Sequence, residues 1–448
     1  NGSGKSGLEA YDVQLIQDTI ERVYLGRFPI MLQSNLCILK NLSPETRFNL
    51  GECRNDNGGY FIVDGKEKAI VTQEGRADNV FYIKNDFSEL YSCSAEIRSV
   101  SEDASKPIRT LAVRIVREQP KIRNGNIVVN VPNVRKPVPL FVLMRALGVI
   151  SDKEIIKHCL LDLDKYDNLI ELFRPSIHDA GYIFTQEAAL NYIKTLTKGY
   201  TVSHVFDILM NYFLPHMGEH NFKAKALYIG YMVKRLLLVY TETEKDTDRD
   251  SYRYKRLEHS GILIYGLFRE YFKKQLDNIY LKIDKKYYYN NNYVNYQGVD
   301  FVNLIKHNQQ EFFSERIVEM GFRKGFKGNW GADEHTKRMG VVQEFSRLSF
   351  FSSLCQLRKT NLPLAAAGAK IVAPRRLNAT QYGYLCPIHS PDGGNVGLHK
   401  HLSISTHITS GTSIIPFIVY LQKLKIKLLE ECSIEYLSKT TKIFLNGR

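Results

Sequence analysis

The chain has 448 residues and a mass of 51.6 kDa, which is room for about three or four domains with well-buried cores. Hydrophobic residues make up 44% and charged residues 24%, ordinary globular values that exclude a largely disordered or low-complexity chain. The 61 Lys and Arg against 47 Asp and Glu give a net charge of +14, which favours a polyanionic partner.

Cysteine usage and hydropathy indicate the compartment. Seven scattered cysteines without a Cys-x-x-Cys pair are typical of a reducing compartment. The most apolar stretches, Pro137 to Ile150 and Leu227 to Tyr240, are about 14 residues long and carry basic residues, so neither can span a bilayer. Because the chain starts at Asn1 without a signal-peptide pattern, we expect an intracellular protein with no membrane contact, and a piece of a longer chain.

The N-terminal part of the chain is predicted to be a helix, a strand and a hairpin. Apolar residues at helical spacing predict a helix over Tyr11 to Tyr24, followed by a short strand from Ile30 to Leu39. Asp64-Gly65 lies between the β-rich segments Tyr60 to Val63 and Ala69 to Thr72. An Asp-Gly pair between such segments predicts a hairpin.

A change of pattern marks the next interval, from about Asp86 to Arg256. Strands are expected near Ser94 to Ser99 and Leu111 to Val116, and the segments after them are mostly helical. We interpret the interval as a separate, inserted domain.

Long helices are predicted to follow, over Leu257 to Ile283 and Val299 to Met320. The Tyr- and Asn-rich segment between them, Lys285 to Tyr296, is expected to be an exposed loop. No repeat period is present, which argues against solenoids and propellers. Together the elements predict a mixed α+β, multi-domain fold with mostly antiparallel sheets.

Positive charge is concentrated in residues 321–402, which account for +8 of the net +14. Four acids accompany the basic residues, which are Arg323, Lys324, Lys327, Lys337, Arg338, Arg347, Arg358, Lys359, Lys370, Arg375, Arg376 and Lys400. Glycines and polar amides are interleaved with them, a mixture that suits a surface following a phosphodiester backbone. A solvated surface patch would have the same composition.

Local motifs in this region carry more information than its charge. In chain order they are Gly328-Asn329-Trp330-Gly331, Gly340-Val341-Val342-Gln343, Leu357-Arg358-Lys359-Thr360-Asn361-Leu362-Pro363, Ala373-Pro374-Arg375-Arg376-Leu377 and Tyr382 through Leu398. Their order and spacing closely resemble the fork region of the second-largest, β-type subunit of multisubunit DNA-dependent RNA polymerases.

The same resemblance covers essentially the whole chain. Gly26 through Ser34 and Gly58 through Lys68 look like that subunit's protrusion, while Ala95 through Ser99, Arg145 through Gly148 and Leu214-Pro215-His216 look like its lobe. The implied domains are a first part of the protrusion (residues 1–87), the lobe (88–256), a second part of the protrusion (257–320), the fork (321–402) and the start of the external region (403–448).

The resemblance implies a role in transcription, as part of the second-largest subunit of a DNA-directed RNA polymerase. The fragment would line the active cleft and contact the RNA–DNA hybrid and downstream DNA; its partners would be the largest subunit, other polymerase subunits, template DNA and nascent RNA. Residues that match hybrid-lining positions are Gln343, Arg358, Lys359, Asn361, Pro391, Asp392 and Asn395. Leu362 to Ile371 resembles the family's second fork loop.

Catalysis by this piece alone is not expected. In the family the Mg²⁺ ions of nucleotidyl transfer are bound mainly by aspartates of the largest subunit, and no Asn-Ala-Asp-Phe-Asp-Gly-Asp run is present here. We therefore expect no catalytic residue and no bound metal in this chain.

Two departures from the family pattern concern the fork. His389-Ser390-Pro391-Asp392-Gly393 stands where the family usually has Glu-Thr-Pro-Glu-Gly, so no role of the first acid passes to His389. Gly394 stands where many relatives have a residue with a side chain, which removes one possible RNA contact. The Asn-, Tyr-, Lys- and Ile-rich texture resembles polymerases of large DNA viruses, which would place the protein in a viral factory or virion instead of a nucleus.

Other readings of the chain remain open. Gly2-Ser3-Gly4-Lys5-Ser6 resembles the end of a P-loop, which would predict an ATPase. Cys386, His389, His399 and His401 are possible zinc ligands, although their spacing matches no standard zinc module. His216 and His220 are a second candidate pair, but two ligands are too few for a closed metal site. A basic RNA-binding module without polymerase activity would also explain the charge.

Overall fold

The computed structural model describes residues 19–103, 106–118, 125–289, 301–363 and 371–448. The chain divides into two compact units. Unit 1 comprises the residues up to Gly75 together with Leu257–Thr406, and unit 2 comprises Arg76–Arg256 together with His407–Arg448. Helices and mostly antiparallel sheets occur in both, which confirms the predicted α+β, multi-domain class. The five predicted domains are a finer division and remain a prediction.

The helices are found in both units. In chain order they are α1 (Pro44–Asn49), α2 (Leu140–Ala146), α3 (Asp152–Leu160), α4 (Asp167–Ile170), α5 (Arg174–Ala180), α6 (Gln186–Leu196), α7 (Val202–Asp207), α8 (Phe222–Tyr240), α9 (Ser260–Tyr289), α10 (Phe301–Phe312), α11 (Ile317–Phe326), α12 (Phe350–Leu357), α13 (Ile415–Lys423) and α14 (Ile434–Lys439). Among the described helices, none is both long and apolar enough to cross a membrane.

Within the described residues the strands form three sheets. They are β1 (Phe61–Val63), β2 (Lys66–Ile70), β3 (Thr72–Arg76), β4 (Phe81–Asn85), β5 (Tyr91–Ser99), β6 (Arg109–Val116), β7 (Ile127–Asn130), β8 (Val138–Pro139), β9 (Lys255–Glu258), β10 (Val342–Glu344), β11 (Lys359–Asn361) and β12 (His399–His401). Their orders are β1-β2-β10, β12-β11-β3-β9 and β4-β5-β6-β7-β8.

Unit 1 is built around the predicted hairpin and two long helices. Asp64 and Gly65 turn the chain between β1 and β2 with φ of 49° and 76°, as the Asp-Gly pair predicts. Phe61 of β1 packs in a core with Phe326 of α11 and with Trp330. Burying each of these aromatic side chains contributes about 1.5–3 kcal/mol.

Unit 2 is an antiparallel sheet covered by helices. Its strands β4 to β8 are paired in chain order, and β5 and β6 include the predicted strands at 94–99 and 111–116. Helix α8 is buried along most of its length. A Cβ on Gly230 would lie 2.4 Å from the carbonyl oxygen of His158, so only glycine allows α8 to approach α3 this closely.

Several predicted elements differ from the structure. No strand forms at Ile30 to Leu39: the backbone makes successive turns there, with hydrogen bonds from Ser34 N to the Met31 carbonyl and from Cys37 N to the Ser34 carbonyl. These turns satisfy part of the backbone locally, and Leu32 exchanges backbone hydrogen bonds of 2.9 and 3.1 Å with Tyr60 and Gly59, so the segment does not continue as a strand. Residues 19–24 of the predicted first helix are not helical, and the rest of that helix lies outside the described residues.

The long helices also end at other places than predicted. Helix α9 continues to Tyr289, so the start of the predicted loop from Lys285 is helical. An ion pair of 2.8 Å from Lys286 to Glu311 joins this last part of α9 to α10. The predicted helix over Val299 to Met320 is instead two helices, α10 and α11.

Candidate nucleic-acid interface

Strand β11 lies at the centre of the candidate site in unit 1. It is antiparallel to β12, with Lys359 opposite His401 and Asn361 opposite His399. On its other side it is parallel to β3, and Thr360 lies opposite Thr72. Because side chains alternate along a strand, Lys359 and Asn361 share one face of the sheet and Thr360 lies on the other.

The face with Lys359 carries a half-buried ammonium group. Burial lowers the pKa of Lys359 from its ordinary value. The imidazoles of His399 and His401 lie opposite Asn361 and Lys359 on the same face. This face is therefore basic, and Lys359 is the residue on β11 that can meet an anion there.

The opposite face of β11 is closed by a buried ion pair. Lys400 Nζ lies 3.1 and 3.2 Å from the carboxylate oxygens of Glu74, and Thr360 Oγ1 donates a hydrogen bond of 3.1 Å to the same carboxylate. The Lys400 and Glu74 side chains are 8% and 0% exposed. Lys400 is thus a structural cation, although sequence composition counts it with the basic surface.

Arg358 is held at the junction between α12 and β11. One of its guanidinium nitrogens donates a hydrogen bond of 2.6 Å to the carbonyl oxygen of Ser403, and the Arg358 carbonyl accepts one from Leu402 N. Ser349 is the N-cap of helix α12, and its side chain accepts a hydrogen bond from Ser352 N. One side of the guanidinium is therefore committed to the protein, which orients the rest of it.

Gln343 and Asn361 approach each other around Gly340. A Cβ at Gly340 would lie 3.6 Å from Asn361 Nδ2 and 3.9 Å from Gln343 Nε2, so the two amides converge on this glycine. Gln343 Nε2 also donates to the Gly340 carbonyl. The φ of Gly340 is 75°, a conformation that favours glycine.

Pro391, Asp392 and Asn395 lie in a loop that Arg375 holds in place. Arg375 donates hydrogen bonds of 2.6 and 3.2 Å to the carbonyl oxygens of Gly394 and Val396. The loop joins β11 through the backbone, because Leu362 N donates to the Leu398 carbonyl. Asp392 and Asn395 are exposed, and their loop is tied to β11 by this backbone bond and by β12.

Many of the basic residues of 321–402 already have acidic partners. Arg323 and Lys327 pair with Asp64, Lys337 with Glu334, Arg338 with Glu258, and Arg347 with Asp56 and Glu67. The positive charge available to an external polyanion is therefore smaller than the composition suggests.

Arg347 belongs to a compact cluster that supports the start of this region. Its guanidinium forms two hydrogen bonds of 2.8 Å to Glu67 and stacks on Tyr60 and Phe345. The hydrogen bond from Arg347 lowers the pKa of Glu67. Burial tends to raise the pKa of Asp56, but hydrogen bonds, of which the one from Tyr60 is the strongest, lower it below its ordinary value. From the sequence, Arg347 is only one of the basic residues of 321–402; its contacts with Glu67 and Tyr60 follow from the fold.

Sequence reasoning also missed three positions that organise the site. Arg375 was part of the basic count, but its hold on the loop follows only from the folded backbone. The sequence analysis treats His399 and His401 only as possible zinc ligands. The two residues are separated by Lys400, and on a strand this spacing of two places both side chains on the same face.

The proposed zinc ligands do not converge. The rings of His389 and His401 are stacked face to face at 3.5 Å with an angle of 6°, and His401 Nδ1 donates to the carbonyl oxygen of His389. Stacked rings direct their nitrogens sideways and not toward a common ion. In the part of the chain that the structure describes, no group of three His, Cys, Asp or Glu could hold a metal ion.

Two other sequence interpretations cannot be placed. The P-loop-like segment with Lys5 lies outside the described residues, and so does most of the second fork loop, since residues 364–370 are not described.

Comparisons with known proteins agree with the motif order. The family profile described as RNA polymerase beta subunit matches residues 9–306, and the one described as RNA polymerase Rpb2, domain 3, matches residues 343–408. All seven candidate site residues lie in the second segment.

Full-length relatives extend the match. The chain is 38% identical to DNA-directed RNA polymerase II subunit RPB2 of Encephalitozoon cuniculi over 95% of its length, and 34% identical to DNA-directed RNA polymerase II subunit 2 of Arabidopsis thaliana over 99%. It covers 36% and 37% of those proteins, about a third of their length. A viral source stays a prediction.

An archaeal relative is similar over most of its own length. The chain is 31% identical to DNA-directed RNA polymerase subunit Rpo2N of Methanococcus vannielii, with 87% of this chain and 74% of that protein covered. By this match and by the profile over residues 9–306, the chain belongs to the RNA polymerase beta-subunit family, as a segment corresponding to the N-terminal part that includes the fork.

Proposed function

We propose that the chain forms part of the second-largest subunit of a DNA-directed RNA polymerase and that its β11 face contacts the RNA–DNA hybrid. The observation that carries the proposal is the face itself: Lys359 and Asn361 lie side by side on β11, within the segment 343–408 that the domain profile matches. An ammonium group meets phosphates as a point charge, while an amide can donate to and accept from sugar or base groups.

The remaining candidate residues extend this surface. Gln343 adds a second amide beside Asn361, and Arg358 presents a partly committed guanidinium at the end of β11. The loop with Pro391, Asp392 and Asn395 adjoins β12 and would contribute polar contacts at the border of the hybrid. Downstream DNA would lie on the same side of the cleft.

Partners and location follow from the same assignment. The chain would assemble with the largest subunit and with other polymerase subunits, and it would act inside the cell where template DNA and nascent RNA are present. The Mg²⁺ of nucleotidyl transfer would be held by the largest subunit. The described residues of this chain offer no donor set that fits the ion, and we assign no step through it.

Photo-crosslinking tests the proposal in the assembled polymerase. A photoreactive nucleotide near the RNA 3′ end should label peptides between Gly340 and Leu398. Label that avoids this segment would reject the hybrid contact. Binding of RNA by the chain without assembly into a polymerase would instead favour the basic RNA-binding module.

A charge variant tests the role of Lys359. Lys359→Ala should shorten the lifetime of the transcription complex and lower the slope of log lifetime against log salt by about one phosphate contact. Lys324→Ala is the matched control, because Lys324 is exposed on α11 and lies outside the segment 343–408. Equal salt slopes for the two variants would contradict a phosphate contact at Lys359.

A further inference from the structure

Three histidines gather on the β11 face of unit 1. We define the histidine cluster as His389, His399 and His401. His401 lies directly opposite Lys359, and residues paired in this way have Cβ atoms about 4.5–5.5 Å apart. His389 stacks on His401 at 3.5 Å. The cluster thus places imidazoles beside the ammonium group of Lys359.

Hydrogen bonds determine where a further proton can go. His401 Nδ1 donates to the carbonyl of His389, so neutral His401 carries its proton on Nδ1 and a second proton would add to Nε2. His399 Nδ1 is buried and has no hydrogen-bond partner among the described residues. Protonation therefore creates a new N–H donor at His401.

The charged groups around the cluster are basic. Beside burial, Lys359 on β11 acts on both imidazoles, His401 acts on His399, and His389 in the preceding loop acts on His401. The ion pair of Lys400 and Glu74 lies on the opposite face of the sheet. Burial first, and then the basic neighbours, lower the pKa of His399. Burial also lowers the pKa of His401, although the hydrogen bond to the His389 carbonyl opposes it, so both imidazoles are mostly neutral at pH 7.

An anion would reverse this balance. A phosphate placed between Lys359 and the imidazoles adds negative charge in a half-buried site, where electrostatic attraction is stronger than in water. Its charge favours the protonated imidazole, and the added Nε2–H of His401 can donate to a phosphate oxygen. The close ring stack disfavours a second proton, because two imidazolium rings would repel each other at 3.5 Å.

We propose that Lys359, His399 and His401 form a proton-linked phosphate site, in which a backbone phosphate of the bound nucleic acid is held together with about one proton taken up by the histidine cluster. The phosphate-binding chemistry stands on the cluster geometry, and the nucleic-acid source of the phosphate rests on the proposed function above. The site would make hybrid retention stronger at lower pH.

The first test measures the lifetime of the assembled transcription complex between pH 6 and pH 8. The unmodified protein should hold the hybrid longer at low pH, with a gain of no more than about tenfold per pH unit for one proton. The double variant His399→Gln/His401→Asn should lose this additional pH dependence. His335→Asn, an exposed histidine of unit 1, is the control.

The second test does not depend on nucleic acid. Histidine ring signals of the full 448-residue chain are titrated by NMR with and without inorganic phosphate. Each signal is assigned by its loss in one of the single variants His399→Gln, His401→Asn and His335→Asn. Phosphate should raise the pKa of His399 or His401, with the ring signals of His335 as the control. The Lys359→Ala variant should abolish the rise.

The outcomes separate the two proposals. No phosphate-dependent pKa change together with an unchanged pH profile in the double variant overturns the site. A pKa rise with phosphate but an unchanged pH profile overturns the nucleic-acid source and leaves a site for free phosphate. A cluster-dependent pH profile with crosslinks outside Gly340 to Leu398 would refute the hybrid contact while supporting a phosphate elsewhere on the nucleic acid.

Discussion

Replacing Lys400 by methionine should destabilise unit 1 far more than its place in a basic region suggests. The Lys400 ammonium lies 3.1 and 3.2 Å from the Glu74 carboxylate, and both side chains are almost fully buried. Removing one partner of such a buried ion pair costs about 3–5 kcal/mol. Lys400→Met should therefore remove much of the stability of this unit.

The single tryptophan provides the assay. Trp330 is buried in the core of unit 1, so its fluorescence during urea unfolding reports this unit. The double variant Glu74→Gln/Lys400→Met removes both charges and should lose less free energy than Lys400→Met alone. Lys324→Met is an exposed control and should change the unfolding free energy by less than about 0.5 kcal/mol.

A loss below about 1 kcal/mol for Lys400→Met would refute the reasoning, because it would mean that the pair is solvated and screened. A double variant less stable than Lys400→Met would also contradict the reasoning, because removing the charge of Glu74 as well should recover part of the lost free energy.

Other perturbations of unit 1 test separate contacts. Phe326→Ala should cost about 3–5 kcal/mol in the same fluorescence assay, because it empties a fully buried ring site; a cost near zero would contradict the assigned core. Gly397→Ala should raise amide hydrogen exchange around the loop, since its Cβ would lie 2.2 Å from the Arg375 carbonyl oxygen and the φ is 71°; unchanged exchange would refute that close approach. The lowered pKa of Glu67 adds stability that is present above the ordinary carboxyl pKa and is lost as pH falls through the folded-state pKa. Arg347→Lys should shrink this acid-dependent loss, by about 1 kcal/mol at most because the pair is partly exposed, and an identical stability profile below pH 5 would contradict it.

Local sequence patterns and motif order were enough to predict several elements and the family. Asp64-Gly65 predicts its hairpin because the turn depends on conformations of these two residues alone, and β-rich periodicity located β5 and β6. Motif order over the chain identified the polymerase family, which the profile over residues 9–306 confirms. The seven hybrid-facing residues remain a prediction carried by that order.

Local pattern was misleading where neighbours from elsewhere decide the conformation. Ile30 to Leu39 looks like a strand, yet Leu36 and Ile38 are exposed on consecutive turns. Helix α9 extends into a segment that looks like a loop, and there Lys286 pairs with Glu311 of α10.

Which charges are buried and which are exposed depends on tertiary contacts. Lys400 and Glu74 are 326 residues apart, and the parallel pairing of β11 with β3 makes them partners. The same sheet puts Lys359 beside His401. Composition counts all lysines alike. Strand register and burial place Lys400 in the interior and Lys359 on a half-buried face, and both depend on contacts that sequence periodicity does not encode.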